Sequence, residues 1–155
     1  MPRDFPFFGA CYGIGTLGVH QGAVIDRTFG EPISVVPVTL TEEGSEDPLF
    51  AGLPREFEAF VGHKEAVSLL PEHAVLLASS PGCPVQAFRV GRNVYATQFH
   101  PELDVDGITT RIHAYAGHGY FAADELELTL AAVRRAPVSH PSRMLRTFVE
   151  LYARD

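Results

Sequence analysis

A single bend constrains this chain more than any other feature. The run Phe7-Phe8-Gly9-Ala10-Cys11-Tyr12-Gly13-Ile14-Gly15 begins as an apolar strand and turns abruptly into a helix. Gly9 and Gly13 bracket Cys11 where strand and first helical turn must approach closely. A strand–turn–helix unit of this kind belongs to an α/β architecture and pushes the side chain at its apex outward. Cys11 would also stand at a helix N-terminus, where unpaired N–H groups and the helix dipole favour an anionic sulfur. A glycine-flanked cysteine after an apolar run can equally be a packed strand end, so the bend alone leaves catalysis and packing open.

A second segment decides between them. Val94-Tyr95-Ala96-Thr97-Gln98-Phe99-His100-Pro101-Glu102 reads as a β-rich strand with a histidine and a carboxylate at its carboxyl end. Residues two apart in an extended chain point to the same side, so His100 and Glu102 can be neighbours, and Pro101 stiffens the link. A cysteine nucleophile needs a base, and the base needs a third group to fix its tautomer and stabilise the imidazolium. Cys11, His100 and Glu102 are therefore the candidate catalytic residues. None of His20, His63, His73, His113, His118 and His140 sits in such a pair.

The runs Gly9-Ala10-Cys11-Tyr12-Gly13 and Gln98-Phe99-His100-Pro101-Glu102 resemble the signatures of the class I (triad) glutamine amidotransferases. Val61-Gly62-His63-Lys64-Glu65-Ala66-Val67, followed by Leu69-Leu70-Pro71, resembles that family's Ser-His-x-Asp segment, and Ala78-Ser79-Ser80 its small-residue stretch; the similarity runs from about Phe5 to Glu102. The resemblance implies a flavodoxin-like α/β sandwich with a mixed, mainly parallel sheet flanked by helices. It implies that Cys11 attacks the side-chain amide of glutamine, that His100 shuttles the proton and Glu102 orients it, and that ammonia leaves before water releases glutamate. Substrate binding falls by the same resemblance to Gly9, Tyr12, Gly15 and His63, with the Tyr12 N–H as one oxyanion donor. No cofactor is implied, and a synthetase partner in trans would use the ammonia.

Two departures bear on the substrate. Gly15 stands where the family carries a glutamine that helps hold the substrate, and Gly62-His63-Lys64-Glu65 replaces Ser-His-x-Asp. Another γ-glutamyl compound, as in the γ-glutamyl hydrolases, is thus an alternative to glutamine. A third departure is that the elbow strand begins a few residues after Met1, whereas family members carry further strands and a second oxyanion donor before it. Residues 1–155 are then expected to be a single, N-terminally truncated amidotransferase domain. Loss of such a donor costs on the order of 10²–10³ in rate, so a non-catalytic truncated homologue acting as a binding partner is the reading opposed to an enzyme. The elbow strand should be central and buried on both faces, and an edge bared by truncation favours a homo-oligomer. Chain order argues against an α/β-hydrolase, which places its acid before the histidine, and Tyr12 stands where the related intracellular proteases carry histidine.

Composition narrows the remaining classes. With 19 acidic against 12 basic residues and a net charge of −7, no basic stripe could neutralise phosphates, so nucleic acid is not an expected partner. No apolar run reaches the roughly 20 residues that span a bilayer, and Met1-Pro2-Arg3-Asp4 opens no secretory signal. The expected location is the cytoplasm, away from membranes. Cys11 and Cys83 are the only cysteines, and without CxxC or HExxH spacing no metal site is expected.

The periodicities predict a helix over 12–20, strands over 23–26, 33–40, 57–61, 75–78, 85–90 and 94–99, a hairpin turn at Gly91-Arg92-Asn93, and an acidic surface connection over 41–54. After Glu102 three helical stripes follow: Ile108, Ile112 and Tyr115; Leu126, Leu130 and Val133; and Met144, Phe148, Leu151 and Tyr152.

Overall fold

The computed structural model describes residues 5–118, 121–122 and 124–153. The opening Met1–Asp4, on which the signal-peptide reading rests, lies outside the described residues. The chain runs β1 (Phe7–Ala10), α1 (Tyr12–Gln21), β2 (Val24–Asp26), β3 (Glu31–Leu40), α2 (Glu42–Glu46), a 3-10 turn (Pro48–Phe50), β4 (Glu56–His63), β5 (Ala66–Leu69), β6 (Ala74–Ser80), β7 (Cys83–Val90), β8 (Val94–Thr97), α3 (Val105–Tyr115), α4 (Glu125–Arg135) and α5 (His140–Tyr152).

Six strands form one sheet in the order β1-β8-β7-β6-β3-β4, and β2 pairs with β5 apart from it. The sheet is mixed and flanked by helices. Its parallel part is the β1–β8 pair; the other described pairings are antiparallel, a smaller parallel share than the mainly parallel sheet expected. The connections explain this. Pro81-Gly82 joins β6 to β7 and Gly91-Arg92-Asn93 joins β7 to β8, links far too short for the crossover that parallel neighbours need. Among the described residues β1 also stands at the sheet edge rather than at its centre, with Phe7 and Phe5 exposed. Only Phe8 turns inward, against the Phe148 ring at 5.6 Å. An aromatic run reports that a strand has an apolar face, not how many neighbours it pairs with.

Both faces of the sheet are covered. On one side Ile14 and Leu17 of α1 pack with Val67, Val85, Phe88, Val94 and Ala96. On the other Met144 and Phe148 of α5 join Val38, Leu77, Tyr95 and Phe99. β8 is consequently buried along its whole length, its residues alternating between the two layers as a strand's must. Ile108 and Ile112 of α3 and Leu130 and Val133 of α4 close over Ile33 and Phe60. α3 starts cleanly because the Asp104 side chain accepts from Gly107 N at 2.7 Å, a helix N-cap.

The 41–54 connection is more ordered than its acidity suggests. It holds α2 and the 3-10 turn, and Asp47 is not a solvated surface group: it is buried, accepts from Tyr95 Oη at 3.0 Å and pairs with Arg89 Nε at 2.9 Å.

Candidate active site

Parallel pairing of β1 with β8 sets the site. Parallel strands finish at the same edge of a sheet, so the residues just past each of them meet despite a separation of 87 positions between Cys11 and Gln98. Cys11 N–H donates to Thr97 O at 2.8 Å, Gln98 N–H to Gln86 O at 2.8 Å and His100 N–H to Phe60 O at 2.9 Å. The backbone carries both segments into one place.

The elbow is strained where the sulfur is held. Cys11 has φ 50° and ψ −95° and is the one non-glycine residue with positive φ among the described residues, a conformation that costs on the order of 1–3 kcal/mol and persists only where the surroundings impose it. Those surroundings include Gly9: a Cβ there would meet the Gly13 backbone at 3.0–3.1 Å, so only glycine lets α1 seat against β1. The half-buried sulfur lies 3.8 Å from Gly62 O and 3.9 Å from Gln98 Nε2.

Beside it, His100 Nδ1 stands 2.6 Å from Glu102 Oε1, the ring almost fully buried and the carboxylate half-exposed. Burial of the ring works against its charge. The Cys11 sulfur and the Glu102 carboxylate outweigh that through hydrogen bonding and charge, and push His100 up to about 9. Glu102 is held below the usual carboxylate range: burial opposes the shift, and the bond to His100, with the charges of His100 and Arg111, overcomes it. His100 Nε2, the other ring nitrogen, is buried and has no hydrogen-bond partner of normal geometry, so the Cys11 sulfur acts on the ring by its nearness and charge.

Cys11 opens onto a cleft of about 740 Å³ whose walls include Tyr12, Gly15, Arg27, His63, Lys64, Glu65, Gln98, Arg111 and Tyr115. The residues expected at the substrate are spread differently through it. Tyr12 is exposed on its rim, and a Cβ at Gly15 would meet nothing within 4 Å, so this wall is open. Gly9 lies beneath, shaping the backbone. His63 reaches the cleft wall, but its ring is buried and committed: Nδ1 is 2.8 Å from Glu65 O and Nε2 is 2.8 Å from Glu31 Oε1. Gly62 has a packing reason, because a Cβ there would press to 2.7 Å on Ile33 Cγ1.

Three further side chains were not singled out by the sequence. Gln98 lies against the sulfur, and the same two-residue spacing that groups His100 with Glu102 also groups Gln98 with them. Arg111 and Glu31 carry no such signal, since the fold alone brings α3 and the start of β3 here. Among the described residues no helix is long and apolar enough to cross a membrane.

The sequence model of the class-I glutamine amidotransferases matches residues 1–115. Among curated proteins, the chain is 33% identical over 105 residues to the glutamine-hydrolysing GMP synthase of Thermosipho africanus, which covers 64% of this chain and 19% of that protein. It is 34% identical over 103 residues to one subunit of the glutamine-hydrolysing GMP synthase of Thermoplasma volcanium, covering 66% of this chain and 50% of that subunit. A glutamine amidotransferase structure from Thermotoga maritima superposes with a TM-score of 0.73 at 27% identity, over 97% of this chain and 63% of the other. The chain spans half or less of the length of these two curated relatives.

Proposed function

Because this chain belongs to the class-I glutamine amidotransferase family, we propose that it hydrolyses the side-chain amide of glutamine through a cysteinyl thioester, with Cys11, His100 and Glu102 as its catalytic residues. Cys11 Sγ attacks the amide carbon, and the C–N bond breaks as the protonated His100 ring gives its proton to the departing ammonia. The γ-glutamyl group is left on sulfur. Water then attacks the thioester, His100 takes its proton, and glutamate leaves with the thiol restored. Glu102 holds the ring in the tautomer that presents Nε2 to the sulfur, and the Tyr12 N–H, at the start of α1, faces the oxyanion. Arg27 and Arg111, both on the cleft wall, supply positive charge for the substrate's α-carboxylate.

The single observation that carries this reading is the strained, positive-φ cysteine at the mouth of the cleft with a buried, charge-stabilised imidazole behind it. Structural strain of this kind collects at functional sites. Ammonia would pass to a separate synthetase chain; that the Thermoplasma volcanium relative is named as one subunit of its synthase supports a divided enzyme. The open wall at Gly15 favours one further reading, in which the cleft admits a γ-glutamyl compound larger than glutamine. Purified protein incubated with glutamine or with a γ-glutamyl anilide decides between them. Equimolar glutamate and ammonia from glutamine is the expected result. Faster release of the anilide assigns the hydrolase reading, and turnover of neither contradicts both.

A further inference from the structure

Away from the sulfur of Cys11, a second set of reactive groups converges beneath the β6–β7 turn. Glu31 opens β3, His63 closes β4 and Cys83 opens β7. Their carboxylate, imidazole and thiol atoms lie within 4.8 Å of one another, and all three residues are buried. No bond-making or proton-transfer step of the amide hydrolysis is assigned to them, although His63 also borders the Cys11 cleft. The hydrogen bonds fix the histidine tautomer: a carbonyl oxygen can only accept, so Nδ1 carries the hydrogen that reaches Glu65 O. Nε2 thus directs its lone pair, or one added proton, at Glu31 Oε1. The fully buried Gln86 donates from Nε2 to Glu31 Oε1 at 2.7 Å and to Ser80 Oγ at 3.0 Å, while its own Oε1 has no partner.

We propose that these residues form a binding site for one divalent zinc-type cation, with Cys83 Sγ, His63 Nε2 and the Glu31 carboxylate as ligands and the Gln86 amide oxygen as the fourth. Sulfur, imidazole and carboxylate are the donors zinc accepts. A thiolate, a carboxylate and a neutral imidazole also sum to two negative charges, so a divalent ion leaves this buried site neutral, as burial of charge demands. The Nδ1–H bond to a backbone carbonyl is the outer contact that orients a metal-binding histidine. Turning the Gln86 amide over brings its unpartnered oxygen to the ion and gives up the Nε2 donations to Glu31 and Ser80, the metal bond taking their place. Tetrahedral ligands at zinc distances stand about 3.3–3.8 Å apart, so the His63–Glu31 gap opens by roughly half an ångström. The exposed Pro81-Gly82 turn offers an entry path, since Glu31 Oε2 is 3.5 Å from where a Gly82 Cβ would be.

Without the ion, burial and the nearby Glu31 charge push the Cys83 thiol up to about 12. A thiol must lose its proton to bind the ion, so binding tightens as pH rises. The bound ion would tie the end of β4, whose Gly62 carbonyl faces the Cys11 sulfur, to the start of β7.

Cobalt(II) added to metal-free Cys11→Ser protein, in which Cys83 is the sole thiol, tests this directly. The expected result is a sulfur-to-cobalt charge-transfer band saturating at one equivalent and displaced by zinc. The band should be lost in the additional variant Cys83→Ser, and Glu31→Gln, which keeps thiol and volume, should weaken binding at least tenfold. No charge-transfer band in the Cys11→Ser protein, or one that survives Cys83→Ser, overturns the proposal. Neither outcome depends on glutamine turnover.

Discussion

Replacing Cys11 with serine is expected to lower glutamine hydrolysis by on the order of 10⁴-fold or more, because the attacking atom is lost and the residual rate reflects binding and oxyanion contacts alone. Thermal stability should barely move, since serine fills the same space at the same strained φ of 50°. Cys11→Gly separates the two roles of this position. It should be equally inactive, yet it relieves about 1–3 kcal/mol of backbone strain while the freer unfolded chain returns about 0.5–1 kcal/mol. The net gain of about 1 kcal/mol corresponds to a Tm rise of about 2–4 °C for a domain of this size. Steady-state ammonia release and thermal unfolding of the three proteins measure both effects. A cysteine present only for packing would show the reverse pattern, with activity kept and stability lost in the glycine variant.

Glu102→Gln is expected to cost on the order of 10²–10⁴ in kcat/KM and to change its pH dependence. In the parent protein the ring stays protonated up to about 9, so the proton needed by departing ammonia is at hand through neutral pH and kcat/KM falls above about 9. Removing the carboxylate's charge takes away one of the two groups that hold the imidazolium, and the alkaline fall moves down toward the ordinary histidine range near 6.5. Stability follows the same linkage. A folded-state value above the unfolded one gives His100 a stabilising contribution that is complete below about 6.5 and lost as pH rises through about 9. Glu102, with its value lowered, contributes stability above the ordinary carboxylate range and loses it as pH falls through its depressed value. Thermal melts of parent and Glu102→Gln between pH 5 and pH 10, on the order of the range set by these shifts, should converge at the alkaline end.

What was legible in the sequence was whatever lies close along the chain. The elbow at Cys11 is written in five consecutive residues, and the His100–Glu102 pair in a two-residue spacing, so both could be read before any fold was known. The helices α3 and α5 followed from their apolar stripes: Ile108, Ile112 and Met144 are buried and Phe148 and Tyr152 partly so, whereas Leu151, expected on the same face, is exposed. β5 escaped because its four residues follow the charged Lys64-Glu65 step and pair only with the short β2. The edge position of β1 escaped because partner number is a property of the sheet. Asp47 read as surface from its acidic neighbours, and only the tertiary approach of Tyr95 and Arg89 makes it a buried anchor. The Glu31–His63–Cys83 cluster was invisible for the same reason: its members come from three strands and share no spacing.

The central claim, that Cys11 is a nucleophile served by His100, is tested most directly by intact-mass measurement after exposure to a glutamine analogue bearing an electrophilic carbon at the amide position. The expected result is a single adduct on Cys11 at neutral pH, slowed strongly in His100→Ala and absent in Cys11→Ser. An unmodified protein, or an adduct carried by Cys83 instead, would contradict it.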